Sequence, residues 1–174
     1  MLTENLITEH IDLSKSIFIG YSGGPDSTAL VHLLSSLNTQ QELNLKAIHI
    51  NHNLSKHSSL WENHCIETCS KLNVNLITES IEVKVDGGGL ESASRRARYK
   101  AFEKILNEDD QLLLGHHSDD VAETLFMRLL RGTGPDGMEG PKLKRSLGHG
   151  VLVRPFLGIS KQEILDYLKK HNID

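Results

Sequence analysis

Apolar residues along this chain follow two rhythms. Short runs without helical spacing occur at 16–21 (SIFIGY), 45–50 (LKAIHI), 74–78 (VNLIT), 111–115 (QLLLG) and 151–156 (VLVRPF), each of strand length and rich in β-branched residues or leucine. Between and after them, apolar positions recur every three to four residues at 26–37 (DSTALVHLLSSL), 59–72 (SLWENHCIETCSKL), 91–106 (ESASRRARYKAFEKIL), 119–131 (DDVAETLFMRLLR) and 160–171 (SKQEILDYLKKH), which predicts amphipathic helices. Strands alternating with helices predict an α/β fold, a doubly wound parallel sheet of five strands with helices on both faces. Ser59 with Glu62 and Ser160 with Glu163 have capping-box spacing, Asp119 reads as a helix N-cap, and Gly132 reads as a C-cap. Two glycine-rich stretches, 85–92 and 132–150, read as mobile loops.

Ligands of such sheets bind beyond the carboxyl ends of the strands, where strand order reverses. The first strand runs into Ser22-Gly23-Gly24-Pro25-Asp26-Ser27. Its two glycines allow positive φ and close backbone approach, Pro25 suits the first helical position, and the free N–H groups of the helix start favour an anion. Ser22 and Ser27 add hydroxyl donors. A Walker loop would supply a lysine; this one carries Asp26, a carboxylate that caps N–H groups, faces Mg²⁺, or acts beyond the phosphates. A capped tight turn without a ligand explains the same spacing.

The second strand ends in His49-Ile50-Asn51-His52, weak as a metal pair and better read as structural or nucleotide-facing. The fourth leads to Gly115-His116-His117-Ser118-Asp119-Asp120, with Glu123 three residues beyond Asp120 on one helical face. Paired carboxylates there suit a cationic amine and its proton; complementing the helix dipole is the plain alternative. The segment with Arg95, Arg96, Arg98 and Tyr99 is either helix-surface pairing or a grip on nucleic-acid phosphates.

Composition narrows the picture. The 174 residues suit one domain, and 38% hydrophobic content argues against disorder. The N-terminus lacks the basic-then-apolar order of a signal peptide and the apolar runs are short, so a cytoplasmic protein without membrane association is expected. A net charge of −4 opposes wholesale nucleic-acid binding, although 91–104 and 127–145 are locally basic. Cys65 and Cys69 share a stripe with Trp61 and Leu72, which reads as core packing rather than a redox or metal pair.

SGGPDS resembles the signature of the PP-loop ATP pyrophosphatases, which cleave ATP between the α- and β-phosphates and so need no Walker lysine. That family's fold is the five-stranded, doubly wound adenine-nucleotide sheet anticipated above. Together SGGPDS, HINH, ESASRRARY, LLLGHHSDDVAETLFMRLLRGTG and VRPFLGISKQEI, from Ile17 onward, resemble the tRNA(Ile)-lysidine synthase branch of the family. The resemblance implies that ATP adenylates the wobble cytidine of a tRNA(Ile) with a CAU anticodon and that free L-lysine then displaces AMP. Carried over, Ser22, Gly23, Gly24, Pro25, Asp26 and Ser27 hold ATP with Mg²⁺ bridging its phosphates, and Ile50 flanks the adenine. Arg95 faces the tRNA, His116 lies near the activated cytidine, and Asp120 and Glu123 orient the lysine. No protein metal site is expected, and a homodimer is a possible assembly. The family continues beyond the equivalent of Asp174 into RNA-binding domains, so residues 1–174 are expected to be its catalytic domain. Rival readings are another PP-loop tRNA-modifying enzyme, a metal-dependent hydrolase using His49, His52, His116, His117 and Asp120, and a non-catalytic nucleotide-binding module of the universal-stress type.

Overall fold

Five parallel strands form as the hydrophobic pattern requires, and a sixth joins them. In the computed structural model, which describes residues 2–53, 58–85, 88–134 and 137–173, the chain runs α1 (Glu4–Thr8), β1 (Ile17–Gly20), α2 (Pro25–Gln41), β2 (Leu45–Asn51), α3 (Ser58–Lys71) and β3 (Asn75–Ser80). It continues α4 (Gly89–Ile105), β4 (Gln111–Leu113), α5 (Ser118–Leu130), β5 (Lys144–Leu147), β6 (Gly150–Val153) and α6 (Lys161–Lys170). The sheet order is β3-β2-β1-β4-β6-β5. β1 pairs in parallel with β2 (Ile17 opposite Leu45) and with β4 (Ile17 opposite Gln111), so the chain winds outward in two directions from β1. The order reverses between β1 and β4, which puts a crevice above their carboxyl ends.

Side-chain alternation along β1 divides the core. Ile17 and Ile19 join a cluster with Leu30, Leu34, Ile164 and Tyr167, whereas Phe18 faces a second cluster with Ile48, Phe102 and Leu112. Helices α2, α3 and α6 cover the first face and α4 covers the second. Helix α5 has no buried residue and leaves Phe126, Leu129 and Leu130 exposed.

Several expectations need correction. The sheet has a sixth strand because β5, inside the stretch read as a loop at 132–150, pairs antiparallel with β6 (Arg145 opposite Leu152). The other glycine-rich stretch is also shorter than expected, since α4 begins at Gly89; residues 86–87 and 135–136 of these two stretches lie outside the described residues. Ser59 sits within α3, not before it, and Glu62 accepts a 2.6 Å hydrogen bond from Asn51 Nδ2. Trp61 is 54% exposed, so only Cys65 and Cys69 of its stripe are fully buried. The N-cap of α5 is His117, not Asp119. The Ser160–Glu163 capping box is present. Gly132, at φ +71°, closes α5 in a Schellman motif: its N–H donates to Leu129 O and that of Thr133 to Arg128 O.

Candidate functional site

A cavity of about 630 Å³ occupies the crevice, lined by the carboxyl ends of β1 and β2, the residues that follow β1, β2 and β4, and α3 and α4. The loop from Ser22 to Ser27 forms its floor. Tyr21 N–H donates to Ile48 O at 2.8 Å, which pins the end of β1 to β2 just before the chain turns. Gly23 has φ +82°, and a Cβ there would lie 3.0 Å from Cys65 Sγ, so both conformation and space demand glycine. The loop curls round Ser27. Its Oγ donates to Gly24 O (3.0 Å), accepts from Ser22 N–H (3.2 Å) and lies 3.1 Å from Ser22 Oγ. Pro25 begins α2, and Gly24 supplies no side-chain cap. The first-turn N–H groups of α2 are left for an anion in a loop held by its own hydroxyls.

Asp26 stands at the rim of this anion site. Its Oδ1 is buried and accepts no hydrogen bond, with His117 Nε2 standing off at 3.5 Å. A carboxylate oxygen without a donor, beside a phosphate-binding helix start, fits Mg²⁺, which is held by one or two carboxylates plus substrate phosphates. Among the described residues no group of three or more His, Cys, Asp or Glu side chains is arranged to hold a metal by itself.

The loop after β4 forms the opposite wall. Gly115 abuts the start of α2: a Cβ on it would lie 2.9 Å from the backbone C and O of Asp26. Buried His117 lies between Asp26 Oδ1 (3.5 Å) and Asp120 Oδ2 (3.6 Å), and its own N–H donates to Asp120 Oδ2 at 2.9 Å. Asp120 therefore closes the first turn of α5 while lining the cavity. His116 also lines it; burial first, then the nearby Arg154 guanidinium, pushes this imidazole down to about 4. From α4 comes Arg98, whose Nε has no hydrogen-bond partner.

A second cavity of about 430 Å³ lies against the other side of this wall, between α4, α5 and the β5–β6 hairpin. Six of its lining residues are cationic, Arg95, Arg96, Arg128, Lys142, Arg145 and Arg154, and none is acidic. Arg95 and Arg145 both stack on Tyr99, with guanidinium carbons 5.3 and 5.1 Å from the ring centroid. Burial raises the Tyr99 phenol, but Arg95 and Arg154 outweigh it and leave the group below its ordinary value.

The structure thus gathers Ser22, Asp26, Ser27, Ile50, His116 and Asp120 round one cleft and puts Arg95 in the other. Glu123 is exposed on α5 and lines neither. His49 and Cys65 belong to the floor's support: His49 Nδ1–H donates to Tyr21 O at 2.9 Å, and burial pushes the Cys65 thiol up to about 12. The residue that sequence reasoning passed over is Arg154, read only as part of a strand; Tyr99 and Arg145 fall in the segments read as basic, but their partnership, which joins helix to hairpin, has no sequence signal. Among the described residues no helix is long and apolar enough to cross a membrane.

The chain is 42% identical over 154 residues to a tRNA(Ile)-lysidine synthase of Alkalilimnicola ehrlichii, covering 88% of this chain and 35% of that protein. It is 45% identical over 158 residues to that of Pseudomonas syringae pv. tomato, covering 90% and 35%. The chain therefore spans about a third of the length of the curated relatives it matches. Among solved structures, a U34-tRNA thiolase from Methanococcus maripaludis with its [4Fe-4S] cluster superposes with a TM-score of 0.78 over 98% of this chain and 63% of its own, at 18% identity, which speaks to the fold alone. An NH3-dependent NAD synthetase from Campylobacter jejuni superposes at 0.54 over 91% and 64%, also at 18%. Residues 3–174 match the family described as the PP-loop domain, and the chain belongs to that family.

Proposed function

We propose that this chain is the ATP-using catalytic domain of a tRNA(Ile)-lysidine synthase, acting on the wobble cytidine of a CAU anticodon with free L-lysine as the second substrate. The observation that carries this reading is the shared wall: an anion-binding loop on one side, a basic cavity on the other, and His116 and Asp120 where they meet. The names and identities of the curated relatives support it.

In the proposed first step the loop from Ser22 to Ser27 holds the phosphates of ATP, and the adenine lies toward Ile50 and β2. The C2 carbonyl oxygen of cytidine attacks the α-phosphorus; an O–P bond forms, the bond to the β-phosphate oxygen breaks, and pyrophosphate leaves. Mg²⁺, held by Asp26 and the phosphates, would neutralise charge on the departing group. The RNA strand enters through the basic cavity, where Arg95 and Arg145 meet its phosphates. In the second step the lysine ε-amine attacks C2, the C–N bond forms, and the C–O bond to AMP breaks. Asp120, at the cleft, and Glu123, one turn further along α5 and open to solvent, orient the ammonium and take up its proton. Assembly as a homodimer and further RNA contacts outside residues 1–174 complete the proposal.

Incubating the full-length protein with ATP, lysine and a CAU tRNA transcript, then analysing its nucleosides by mass spectrometry, tests this. Lysidine in place of one cytidine is expected. Unmodified RNA, whether or not ATP is consumed, would refute it.

A further inference from the structure

Arg154, only 3% exposed, follows β6 and stands between the two cavities. Its Nη1 donates to Lys142 O at 2.7 Å, its Nη2 to the Tyr99 hydroxyl at 3.4 Å, and its Nε to His116 Nδ1 at 3.2 Å. The last contact has a chemical consequence. A guanidinium carries donors and no acceptor, so the ring nitrogen that meets it must be the acceptor. A neutral imidazole has one accepting and one donating nitrogen; with Nδ1 accepting, the hydrogen resides on Nε2. A second proton would have to sit against Arg154. The charged groups facing the ring from neighbouring elements are Arg154 beside β6, Arg95 and Arg98 on α4 and Asp120 on α5, three cations against one carboxylate.

We infer that Arg154 is a positioning residue that locks His116 as the neutral Nε2–H tautomer, so that His116 serves the reactants as a hydrogen-bond donor and not as the base. The inference deepens the reading above and rests on it for the identity of the reactants, because the His116 ring lines the cleft with Ser27, Asp26 and Asp120. A neutral donor there suits an oxygen that gains negative charge, either on the α-phosphate under attack or on the departing AMP. The amine's proton must then go to a carboxylate or to water. Arg154 also touches Tyr99, on which Arg95 and Arg145 stack, so the basic cavity and the histidine share one rigid support.

Long-range proton–nitrogen correlation on the ¹⁵N-labelled chain tests the lock directly. At pH 7 the expected His116 pattern is protonated Nε2 with unprotonated Nδ1, persisting below pH 6. Arg154→Met should yield mixed tautomers and titration closer to that of an ordinary histidine, and Arg154→Lys, again only a donor, should restore the pattern in part. Should Arg154→Met fail to fold, the wild-type spectrum alone decides: protonated Nδ1 or an imidazolium at pH 7 overturns the inference. In the full-length protein, His116→Ala should slow pyrophosphate release by about 10²–10³-fold, as loss of one preorganised donor does. His116→Gln, which keeps an N–H, should retain most of the rate. The wild-type pH profile should lack an inflection near the ordinary histidine value and Arg154→Met should acquire one. Unchanged turnover in His116→Ala overturns the donor role. Absence of pyrophosphate release from wild-type protein refutes the lysidine reading, while the tautomer result stands independently.

Discussion

Replacing Gly115 with alanine should damage ATP binding although residue 115 contributes no side chain to the site. A Cβ there would lie 2.9 Å from both the backbone C and O of Asp26 and 3.2 Å from Ser27 N. Carbon–carbon contacts are most favourable at about 3.5–4.0 Å, so the overlap is roughly 0.6–1 Å. The obstructing atoms are backbone, so no rotamer relieves the clash, and overpacking of this kind costs about 1–3 kcal/mol. At this chain length each kcal/mol lowers Tm by about 2–4 °C, which gives an expected drop of roughly 2–12 °C. Relief requires the loop after β4 and the start of α2 to separate, and the separating atoms carry the N–H groups proposed to bind phosphate. A displacement near 1 Å at a reacting centre can cost about 10²-fold in rate. Differential scanning calorimetry measures the loss of stability, pyrophosphate release by the full-length protein measures the loss of rate, and titration with a non-hydrolysable ATP analogue measures the loss of affinity. Gly158→Ala is the control, since a Cβ there meets nothing within 4 Å. A Gly115→Ala protein with unchanged Tm and nucleotide affinity would refute the argument that this contact sets the loop.

Other substitutions separate the roles of the two cavities. On the proposed reading Ser22→Ala removes a hydrogen bond to a charged phosphate worth about 1.5–3 kcal/mol, so isothermal titration should find nucleotide affinity lower by roughly 10- to 150-fold, whereas Ser27→Ala removes the loop's own bonds to Gly24 O and Ser22 N–H and should lower affinity by loosening the loop. Arg95→Ala and Arg145→Ala should reduce tRNA affinity and flatten its salt dependence by about one counterion each while leaving the ATP dissociation constant unchanged; equal loss of both affinities would contradict separate cavities. Asp120→Asn and Glu123→Gln in the full-length protein should retain ATP binding and stop lysidine formation, so that adenylated tRNA accumulates. Normal turnover of both at saturating lysine would return these carboxylates to the helix-end role, worth about 0.3–1 kcal/mol of stability.

The strands and most of the helices were legible because burial imposes a period, and the crevice was legible because strand-end residues follow from the order of elements. What escaped had no local signature. β5 reads KRSL and is exposed at its first three positions, so no apolar alternation announces it; only pairing with β6 makes it a strand. Trp61 has helical spacing with Cys65 yet lies half exposed at the cleft, because periodicity identifies a stripe without saying how far burial extends along it. The α5 cap was misplaced by two residues because its carboxylate acts from inside the helix: Asp120 reaches back to the N–H of His117, and several polar residues in a row offer equivalent caps. Arg154 was invisible as a site residue because its side-chain partners, His116 and Tyr99, are 38 and 55 residues away. The SGGPDS loop, by contrast, is a local device, held by Ser22 and Ser27 within six residues of each other.

In the proposed reaction a phosphate loop carrying Asp26 in place of a lysine directs cleavage of ATP between the α- and β-phosphates. Full-length protein supplied with lysine, CAU tRNA and ATP labelled at either the α- or the γ-phosphate tests it most directly, with products resolved by thin-layer chromatography. The prediction is α-label in AMP and γ-label in pyrophosphate, both dependent on the tRNA. α-Label in ADP and γ-label in orthophosphate would contradict it.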